Sequence, residues 1–411
     1  MTTVRGKTLV LLRDATFVSL LAVLTVQGLR HWVGDRYLVP SGSMEPLLHG
    51  HLKDGDMVFV DKVARASSRQ RHDLVVVAHA EKAGDQMVKR LVARGDVATE
   101  CWINIEQGDL WLGDNPQQLQ REQKDPLQSR DMRVLWALAA EPTAVTPRLD
   151  LAASQAGQLP PLASTAAEAR NLLSARRRGR LARSLPVGCI GTAQPVDSSY
   201  IDATGTPSPA SSDVNVSDCG IEIDIDELDG ELLATIDSRA GVLTFHWQPG
   251  TGNLVLWRNG IDVASSQLRA AALPKRVEFG LLDDRVFFWL DGEPAACLVQ
   301  LESSWTKSPG DTPQPVRTLV HVACIGNGTG LRWRWLRVFR DVFHRRDPII
   351  GPPGQPGSWP RNVPPGHWFL LGDSTFDSRD SRQFGPVPAS TFLGVPRLVL
   401  GPWPRARWVR P

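Results

Sequence analysis

The stretch that most constrains the fold of this chain is Val39–Leu48, which holds two serines between two prolines. Pro40, Pro46 and the glycine between the serines exclude a regular helix, because proline lacks an amide donor and fixes φ. The stretch therefore predicts a rigid, exposed turn that presents the hydroxyl groups of Ser41 and Ser43.

Length and composition bound the protein class. A chain of 411 residues exceeds one ordinary domain, and 42% hydrophobic residues are enough for buried cores. The net charge of +2 gives no strong attraction to polyanions, so we expect no nucleic-acid partner. Five widely spaced cysteines form no CxxC pair, and we predict no metal site. Disulfide pairing and isolated buried thiols both stay open for Cys101, Cys189, Cys219, Cys297 and Cys324.

An uncharged apolar segment, Ala15–Leu29, follows a basic N-terminus. Extended over residues 15–33, it reaches the roughly 17–25 residues of a membrane-spanning helix, and Arg30 and His31 could snorkel to the interface. A cleaved signal peptide and a buried helix of a soluble protein are the alternatives, but no small-x-small cleavage site follows. We interpret residues 1–14 as cytoplasmic, because basic residues favour that side.

Short apolar runs downstream of the serine turn predict an antiparallel β meander. Gly84 marks the loop Glu81–Asp85 as a hairpin connection between two of the strands. The predicted strands are Met57–Val60, Leu74–Ala78, Gln86–Val92, Cys101–Ile105 and Leu110–Leu112.

Lys89 and Arg90 stand next to each other on one of these strands, where they face opposite sides. A serine nucleophile needs a base, but none of the nine histidines lies in a supporting motif, and we interpret His49 and His51 as surface residues. A lysine can replace histidine where burial disfavours the ammonium form. Lys89 has apolar neighbours and is the candidate base, although a lone strand lysine is most often merely exposed.

With the segment Gly372–Arg382, these features resemble the type I (leader) signal peptidases, membrane-bound Ser–Lys proteases that remove export signals. The resemblance covers about residues 15–110 and 364–401. It implies a split antiparallel β catalytic domain, no metal or organic cofactor, and exported preproteins as substrates. It also implies a single-pass protein of the inner membrane, in contact with lipid, with its catalytic domain on the outer face. The sequence departs from the common family pattern, without loss of a reacting atom, at Leu47, Ala93 and Ser374.

The resemblance also implies roles for single residues. Ser43 matches the nucleophile and Lys89 the general base. The Ser43 backbone N–H and the Ser41 hydroxyl match the oxyanion-binding groups, Ser378 matches the hydroxyl that orients the lysine, and Met44 matches a residue of the substrate cleft. Three further residues match structural positions near the site, two of them as an ion pair: Arg90, Asp380 and Arg382.

The family pattern is interrupted between about Val97 and Val363, far longer than a loop. We predict residues 113–220 as a mixed insertion. It includes a helical segment, Thr165–Leu185, and a Ser/Pro-rich linker, Gln194–Asn215. The basic run Arg176–Arg180 is interpreted as a solvated helix face, with binding to an anionic membrane surface as the alternative.

Residues 221–343 show repeated alternating runs and turn signals, which predict an inserted β sandwich. The run Arg285–Glu293 loosely resembles the strand and Asp-Gly turn of concanavalin/laminin-G-like jelly rolls, and the ligand of such a module stays unknown. Residues 344–363 are predicted as a Gly/Pro-rich return, and 34–112 with 364–411 as the split catalytic domain. The predicted strands include Ile221–Ile225, Leu232–Ile236, Leu319–Ile325 and Leu331–Phe339.

Two other functions compete with a signal peptidase. The first is a non-catalytic or weakly active scaffold that displays a lectin-like sandwich, but the chain retains both Ser43 and Lys89. The second is a self-cleaving Ser–Lys repressor. Such proteins begin with a DNA-binding helical domain, whereas this chain begins with an apolar segment and reaches Ser43 too early.

Overall fold

The structure is a computed structural model of the chain. Predictions for Cys297, for residues 178–180 of the basic run, and for most of the predicted linker and return fall outside the residues that it describes. Those residues are 2–79, 82, 84–96, 98–106, 108–124, 132–140, 144–145, 149–151, 158–177, 187–192, 194–201, 216–238, 240–268, 273–295, 299–301, 318–346, 359–375 and 378–409.

The helices are α1 (Thr2–Trp32), α2 (Ala166–Arg177) and α3 (Ser381–Phe384). α1 begins well before the predicted apolar segment. α2 lies within the predicted helical segment, whose residues 178–185 fall outside the described part of the chain. Among the described residues, no helix combines the length and the apolarity needed to cross a membrane. The predicted transmembrane anchor at 15–33 is therefore not confirmed.

The strands are named in chain order. The first are β1 (Gly34–Leu38), β2 (Met57–Asp61), β3 (Leu74–Ala78), β4 (Gln86–Arg94), β5 (Cys101–Glu106), β6 (Asp109–Gly113), β7 (Gln120–Arg121), β8 (Val134–Ala140), β9 (Ala144–Val145), β10 (Leu149–Leu151), β11 (Gln158–Leu159), β12 (Cys189–Thr192) and β13 (Cys219–Ser238). The others are β14 (Gly241–Gln248), β15 (Asn253–Arg258), β16 (Ile261–Gln267), β17 (Arg276–Leu282), β18 (Arg285–Leu290), β19 (Glu293–Pro294), β20 (Val299–Gln300), β21 (Leu319–Arg340), β22 (Arg361–Val363), β23 (His367–Leu371), β24 (Val387–Pro388), β25 (Phe392–Gly401) and β26 (Arg407–Trp408).

The chain divides into two compact units. Unit 1 comprises Met1–Glu106, Leu110–Arg121 and Arg345–Pro411, and unit 2 comprises Gln107–Asp109 and Glu122–His344. The division differs from the predicted one, because the region before residue 220 belongs largely to the same unit as the predicted sandwich. The physical reason is strand pairing: β8, β11 and β12 all bond to β21.

Unit 1 is built around two antiparallel sheets. One has the strand order β1-β2-β25-β3-β4-β23-β24, with β26 beside β25, and the other has the order β22-β5-β6-β7. Strands from near the two ends of the chain therefore alternate in one sheet, with β25 between β2 and β3. The register places Val75 opposite Lys89 and Leu371 opposite Arg90. The prediction of a mainly β fold is confirmed.

The apolar run of β3 explains why that strand lies inside the sheet. Val75 and Val77 pack into one buried cluster, whereas Leu74 and Val76 pack into another. Successive side chains of a strand point to opposite faces, so a strand buried on both faces carries a continuous apolar run. Burial of each such side chain stabilises the fold by about 1.5–3 kcal/mol.

Unit 2 contains one large, branched antiparallel sheet. Its main path is β10-β12-β21-β13-β14-β15-β16, and β8, β11 and β17 extend it from β21 and β13. One face packs into a core rich in large apolar side chains, among them Trp136, Phe245, Trp247 and Phe288. The predicted concanavalin/laminin-G-like type of this unit is not confirmed.

The prediction of separate short strands in unit 2 is wrong for its two longest strands. β13 spans 20 residues and β21 spans 22, and they pair along most of their lengths. Glycines that look like strand ends are instead accommodated within the pair, where the register shifts between Asp229 and Glu231. Gly230 and Gly326 have φ of 136° and 141° there, a conformation that favours glycine.

The predicted linker Gln194–Asn215 is corrected for its described part. Asp197, Ser198 and Ser199 are buried. The carboxylate of Asp197 accepts hydrogen bonds from Trp136 Nε1 at 2.9 Å and from the backbone N–H of Ser199 at 3.0 Å. Arg340 donates to the Ser199 carbonyl oxygen at 2.9 Å. A Ser/Pro-rich composition is typical of a linker. Here, partners elsewhere in the chain satisfy the polar groups of the segment, which can therefore be buried.

Candidate active site

The serine turn is a single 3₁₀ turn, Gly42–Met44, anchored by apolar side chains on its C-terminal side. Met44 and Leu48 are fully buried in a core cluster of unit 1. Ser43 is half-buried and Ser41 is exposed, and their hydroxyl oxygens lie 3.5 Å apart. Two buried anchors therefore hold a turn whose hydroxyl groups remain accessible, as the sequence predicts.

A buried carboxylate, Glu45, organises the loop after the serines. Its Oε1 lies 2.7 Å from Nδ1 of His49 and accepts from the backbone N–H of Gly50 at 3.2 Å. The backbone of Gly50 lies so close to Ser41 that an added Cβ would collide with the Ser41 carbonyl. His51 is exposed as predicted, but the interpretation of His49 as a surface residue is wrong, since its side chain is only 12% exposed.

Lys89 is buried within β4, and its ammonium group reaches the C-terminal segment of unit 1. Its Nζ donates to the hydroxyl oxygen of Ser378 at 3.0 Å. Ser378 is buried too, although the two residues lie 289 positions apart in the chain. The structure therefore brings the predicted base and the predicted orienting hydroxyl into direct contact.

The segment around Ser378 is fixed to the serine turn through the backbone. The N–H of Ser374 donates to the carbonyl oxygen of Ser43 at 3.2 Å. Gly372 lies between them, and a Cβ added there would collide with both Ser378 Oγ and the Ser43 carbonyl oxygen. Glycine at this position therefore lets the two serine-bearing segments approach each other.

Two buried ion pairs flank this arrangement. Arg90 makes a bidentate pair with Asp373, with distances of 2.7 and 2.6 Å, and donates to the carbonyl of His72. Arg382 makes a second bidentate pair with Asp380, with both distances 2.8 Å. Such forked contacts fix orientation as well as charge. The predicted Asp380–Arg382 ion pair is present, and it is fully buried rather than a surface pair.

The charge of Asp380 is compensated from several sides. Burial alone raises the pKa of its carboxyl, but the guanidinium of Arg382, the charge of Lys89 and the N–H of Gly372 outweigh that cost. The net result is a pKa below the ordinary value of the group. Asp380 therefore stays ionised next to the Lys89–Ser378 contact.

A cleft of about 610 Å³ opens beside these residues. Ser41, Ser43, Met44, Lys89 and Arg379 line it, so that both predicted reacting side chains face one space. Most of the other lining residues are apolar: Tyr37, Leu38, Val39, Pro40, Val58, Val60, Val76, Met87 and Val88. A space of this size, with a mostly apolar lining and a few polar groups, is typical of a ligand-binding site.

A candidate metal cluster occurs in unit 2. Among the described residues, the carboxylates of Asp109, Asp218 and Asp283 lie within 4.8 Å of one another and could hold a cation. The ammonium of Lys124 already lies 3.5 Å from Asp283 and in closer contact with Asp341. This lysine supplies the positive charge that the acidic group requires.

Sequence reasoning did not identify Asp373, Glu45 and Arg379 as residues of the site region. Asp373 lies two residues after the end of β23, and the pairing of Leu371 with Arg90 brings it to the guanidinium. The sequence does show an acidic residue, Asp373, shortly after an apolar strand, and an arginine, Arg90, on another strand. These two residues were the signal from which an ion pair could have been predicted. The pairing of β4 with β23 across the chain cannot be read from the sequence alone.

The two segments that build this site match a known family. Residues 12–142 and 352–403 fit the family model described as "Signal peptidase, peptidase S26". Over these segments the chain is similar to the S26 peptidases. The resemblance to the type I signal peptidases found in the sequence is therefore confirmed.

Two curated relatives agree with this family. The chain is 52% identical over 42 residues to a mitochondrial ATP-independent inner membrane protease subunit 1b of Arabidopsis thaliana, covering 10% of this chain and 24% of the relative. It is 33% identical over 85 residues to signal peptidase I of Aquifex aeolicus, covering 20% of this chain and 30% of the relative. The chain thus spans less than a third of either relative.

Similarity to solved structures is weak. The catalytic domain of an endo-1,3-beta-glucanase (laminarinase) from Thermotoga petrophila covers 38% of this chain and 78% of its own length, with 13% identity and a TM-score of 0.22. A score this low gives no basis for assigning a fold type or an activity to unit 2.

Proposed function

We propose that the protein is a signal peptidase-like serine endopeptidase in which Ser43 is the nucleophile and Lys89 the general base. The observation that carries the proposal is the shared cleft: Ser43 and Lys89 both line it, and the buried ammonium of Lys89 is held by Ser378. The S26 family match supports the same class of reaction.

In the proposed reaction, the neutral amine of Lys89 removes the proton from the Ser43 hydroxyl as its oxygen attacks the substrate carbonyl carbon. The oxyanion that forms accepts hydrogen bonds from the Ser43 N–H and the Ser41 hydroxyl. The intermediate then collapses to an ester on Ser43, and the leaving amine takes the proton from Lys89. A water molecule, deprotonated by Lys89, hydrolyses the ester and regenerates the serine.

The flanking groups position the base in this scheme. Ser378 fixes the direction of the Lys89 side chain, and the Asp380–Arg382 pair fixes Ser378 through the segment that both share. Arg382 donates to the Ser378 carbonyl oxygen at 3.3 Å, and Asp380 accepts from the N–H of Gly372 at 3.0 Å. Arg90 and Asp373 brace β4 against the same segment in the same manner.

The substrates would be exported preproteins, cut after small side chains. The apolar cleft lining and the name of the Aquifex relative support this choice. We further propose that α1 holds the protein to the inner membrane with the active site outside, because side chains such as Phe17, Leu20 and Leu24 are more than half exposed. An inserted sandwich of concanavalin/laminin-G-like type would be carried by unit 2.

The test is cleavage of a preprotein by the full-length protein, followed by mass spectrometry of the product. Ser43→Ala and Lys89→Arg should both be inactive, because arginine keeps the positive charge but cannot be deprotonated. Ser68→Ala and Lys53→Met, which change exposed residues of unit 1, serve as matched controls and should cleave normally. Cleavage by Lys89→Arg at the wild-type rate would exclude Lys89 as the base.

A further inference from the structure

The strands β13, β14 and β21 have two faces with very different surroundings. On one face, side chains such as Ile236, Leu243 and Phe245 pack into the main core of unit 2. On the opposite face, an apolar region that includes Leu233 is covered by α2, whose Leu173 packs against it. A sheet face that does not pack into a core is ordinarily solvated. Buried polar residues on the rest of this second face would therefore be unusual.

The remainder of that face is polar and nevertheless buried. The register aligns Thr244, Thr235 and His321 in one row across the three strands, with Thr235 opposite both of the others. Their exposed fractions are 6% each. The next row along the sheet carries Asp237 between two apolar neighbours.

A cavity of about 400 Å³ lies over these two rows. Its floor is the row with Thr235 and the neighbouring row, and α2 forms one wall with Arg170 and Asn171. The turn Asn259–Gly260 closes another side. The volume falls in the range of small-molecule sites, roughly 300–1,000 Å³.

Several polar groups around the cavity are available to a ligand. Among the described residues, the buried Nε of Arg170 has no hydrogen-bond partner. Thr235 and Thr244 line the same cavity, and each carries a hydroxyl group. Asn259 uses its Oδ1 to accept from the N–H of Val242 at 3.0 Å, which leaves its NH₂ group free. A buried donor without an acceptor is destabilising, so the Nε of Arg170 favours an occupant that can accept a hydrogen bond from it.

The character of these groups selects the chemistry of the occupant. Threonine hydroxyls both donate and accept, whereas Arg170 and Asn259 offer donors, so the complement is a ligand with several hydroxyl groups. Arg170 and Asp237 carry opposite charges, and the guanidinium of Arg170 stacks on Trp257 at 4.2 Å, which disfavours a strongly anionic ligand. Apolar wall residues suit the C–H faces of a sugar ring: Leu173, Val242 and Leu319.

We propose that this cavity of unit 2 is a binding site for a neutral saccharide of one or two rings. The site uses no residue of the proposed peptidase site, so the two functions can be tested separately. Ser43→Ala, which removes the proposed nucleophile, should bind the sugar as the wild type does.

The experiment is saturation-transfer NMR and calorimetry on the full-length protein with glucose, galactose, mannose, N-acetylglucosamine, maltose and cellobiose as probes. At least one sugar should bind, and the double variant Thr235→Val/Thr244→Val should weaken it about tenfold or more, because two hydrogen bonds of roughly 1 kcal/mol each are lost. Valine preserves the shape of threonine, and circular dichroism checks the fold. Ser265→Ala, at an exposed position of β16, is the matched control and should bind normally.

Three outcomes would overturn the proposal. One is the absence of binding by every sugar of the set at millimolar concentration. Another is equal sugar affinity of the wild type and the double valine variant, which would place any binding elsewhere. Inorganic phosphate and glutamate are included as anionic probes, and their binding to the cavity in place of the sugars would also refute the proposed ligand class.

Discussion

Unit 1 and unit 2 each bury a lysine, and the two lysines have contrasting neighbours. Lys89 in unit 1 is 3% exposed and donates to the neutral hydroxyl of Ser378. Lys124 in unit 2 is 5% exposed and forms ion pairs with Asp283 and Asp341. Equal burial thus comes with a hydroxyl partner in one unit and with carboxylate partners in the other.

The carboxylates decide the protonation state of Lys124. Burial alone lowers the pKa of its ammonium, but Asp283, Asp341 and Asp109 outweigh burial and raise the pKa above the ordinary value. Lys124 is therefore a fixed positive charge within an acidic group, which makes it structural. Its backbone N–H also donates to Asp283 at 2.8 Å, which connects Lys124 to the turn that follows β17.

The contrast teaches that burial by itself does not give a lysine a chemical role. In the proposed reaction Lys89, which contacts Ser378 and lines the cleft, acts on a substrate, whereas Lys124 is enclosed by carboxylates and stabilises the structure.

The largest effect is expected from Lys89→Met. Methionine keeps the apolar volume but removes the amine, so peptide cleavage should fall on the order of 10³-fold or more, as for loss of a general base. The free energy of unfolding should change by only about 1 kcal/mol, because one hydrogen bond to Ser378 is lost. Cleavage assays measure the activity, and urea titrations measure the free energy of unfolding. A folded variant with normal activity would show that Lys89 is not the general base.

The reciprocal change, Lys124→Met, should reverse the pattern. Removal of the cation leaves buried carboxylates without compensation, which is expected to destabilise unit 2 by about 3–5 kcal/mol. The specific activity of the folded protein should remain that of the wild type. If Lys124→Met unfolded at the same urea concentration as the wild type, the proposed structural role would be wrong.

Ser378→Ala should have an intermediate effect. The hydroxyl holds Lys89 in position through one hydrogen bond worth about 1 kcal/mol, so kcat should fall roughly fivefold to tenfold. KM should stay unchanged, since Ser378 does not bind substrate in the proposed scheme. A rise in KM with constant kcat would instead indicate a role in substrate binding.

The smallest effect concerns the pH dependence of unfolding. The lowered pKa of Asp380 means that its contribution to stability is present above about pH 3.8 and is lost as the pH falls through the lower folded-state value. The raised pKa of Lys124 means that its contribution is present below about pH 10.5 and is lost as the pH rises further. Asp380→Asn should flatten the acid side of the stability profile, and Lys124→Met should remove the loss of stability on the alkaline side.

The sequence predicts the site better than it predicts unit 2. The Pro-flanked turn with Ser43 and the apolar strand with Lys89 are local patterns, and the strand Leu74–Ala78 occurs with the predicted bounds. The Arg90–Asp373 pair depends on which distant strands become neighbours, which local patterns do not encode. In unit 2, Gly230 and Gly326 look like strand ends in the sequence, yet pairing between two long strands accommodates them.

Gly372 has a consequence for how this protein tolerates sequence variation. Any side chain there would displace either the Ser378 hydroxyl or the Ser43 carbonyl, because both lie where a Cβ would stand. In a saturation library selected for cleavage, position 372 should return a single codon family, although it has no reacting atom of its own. A steric constraint at a position without a reacting atom can thus exclude substitutions as strictly as the requirement for a nucleophile does.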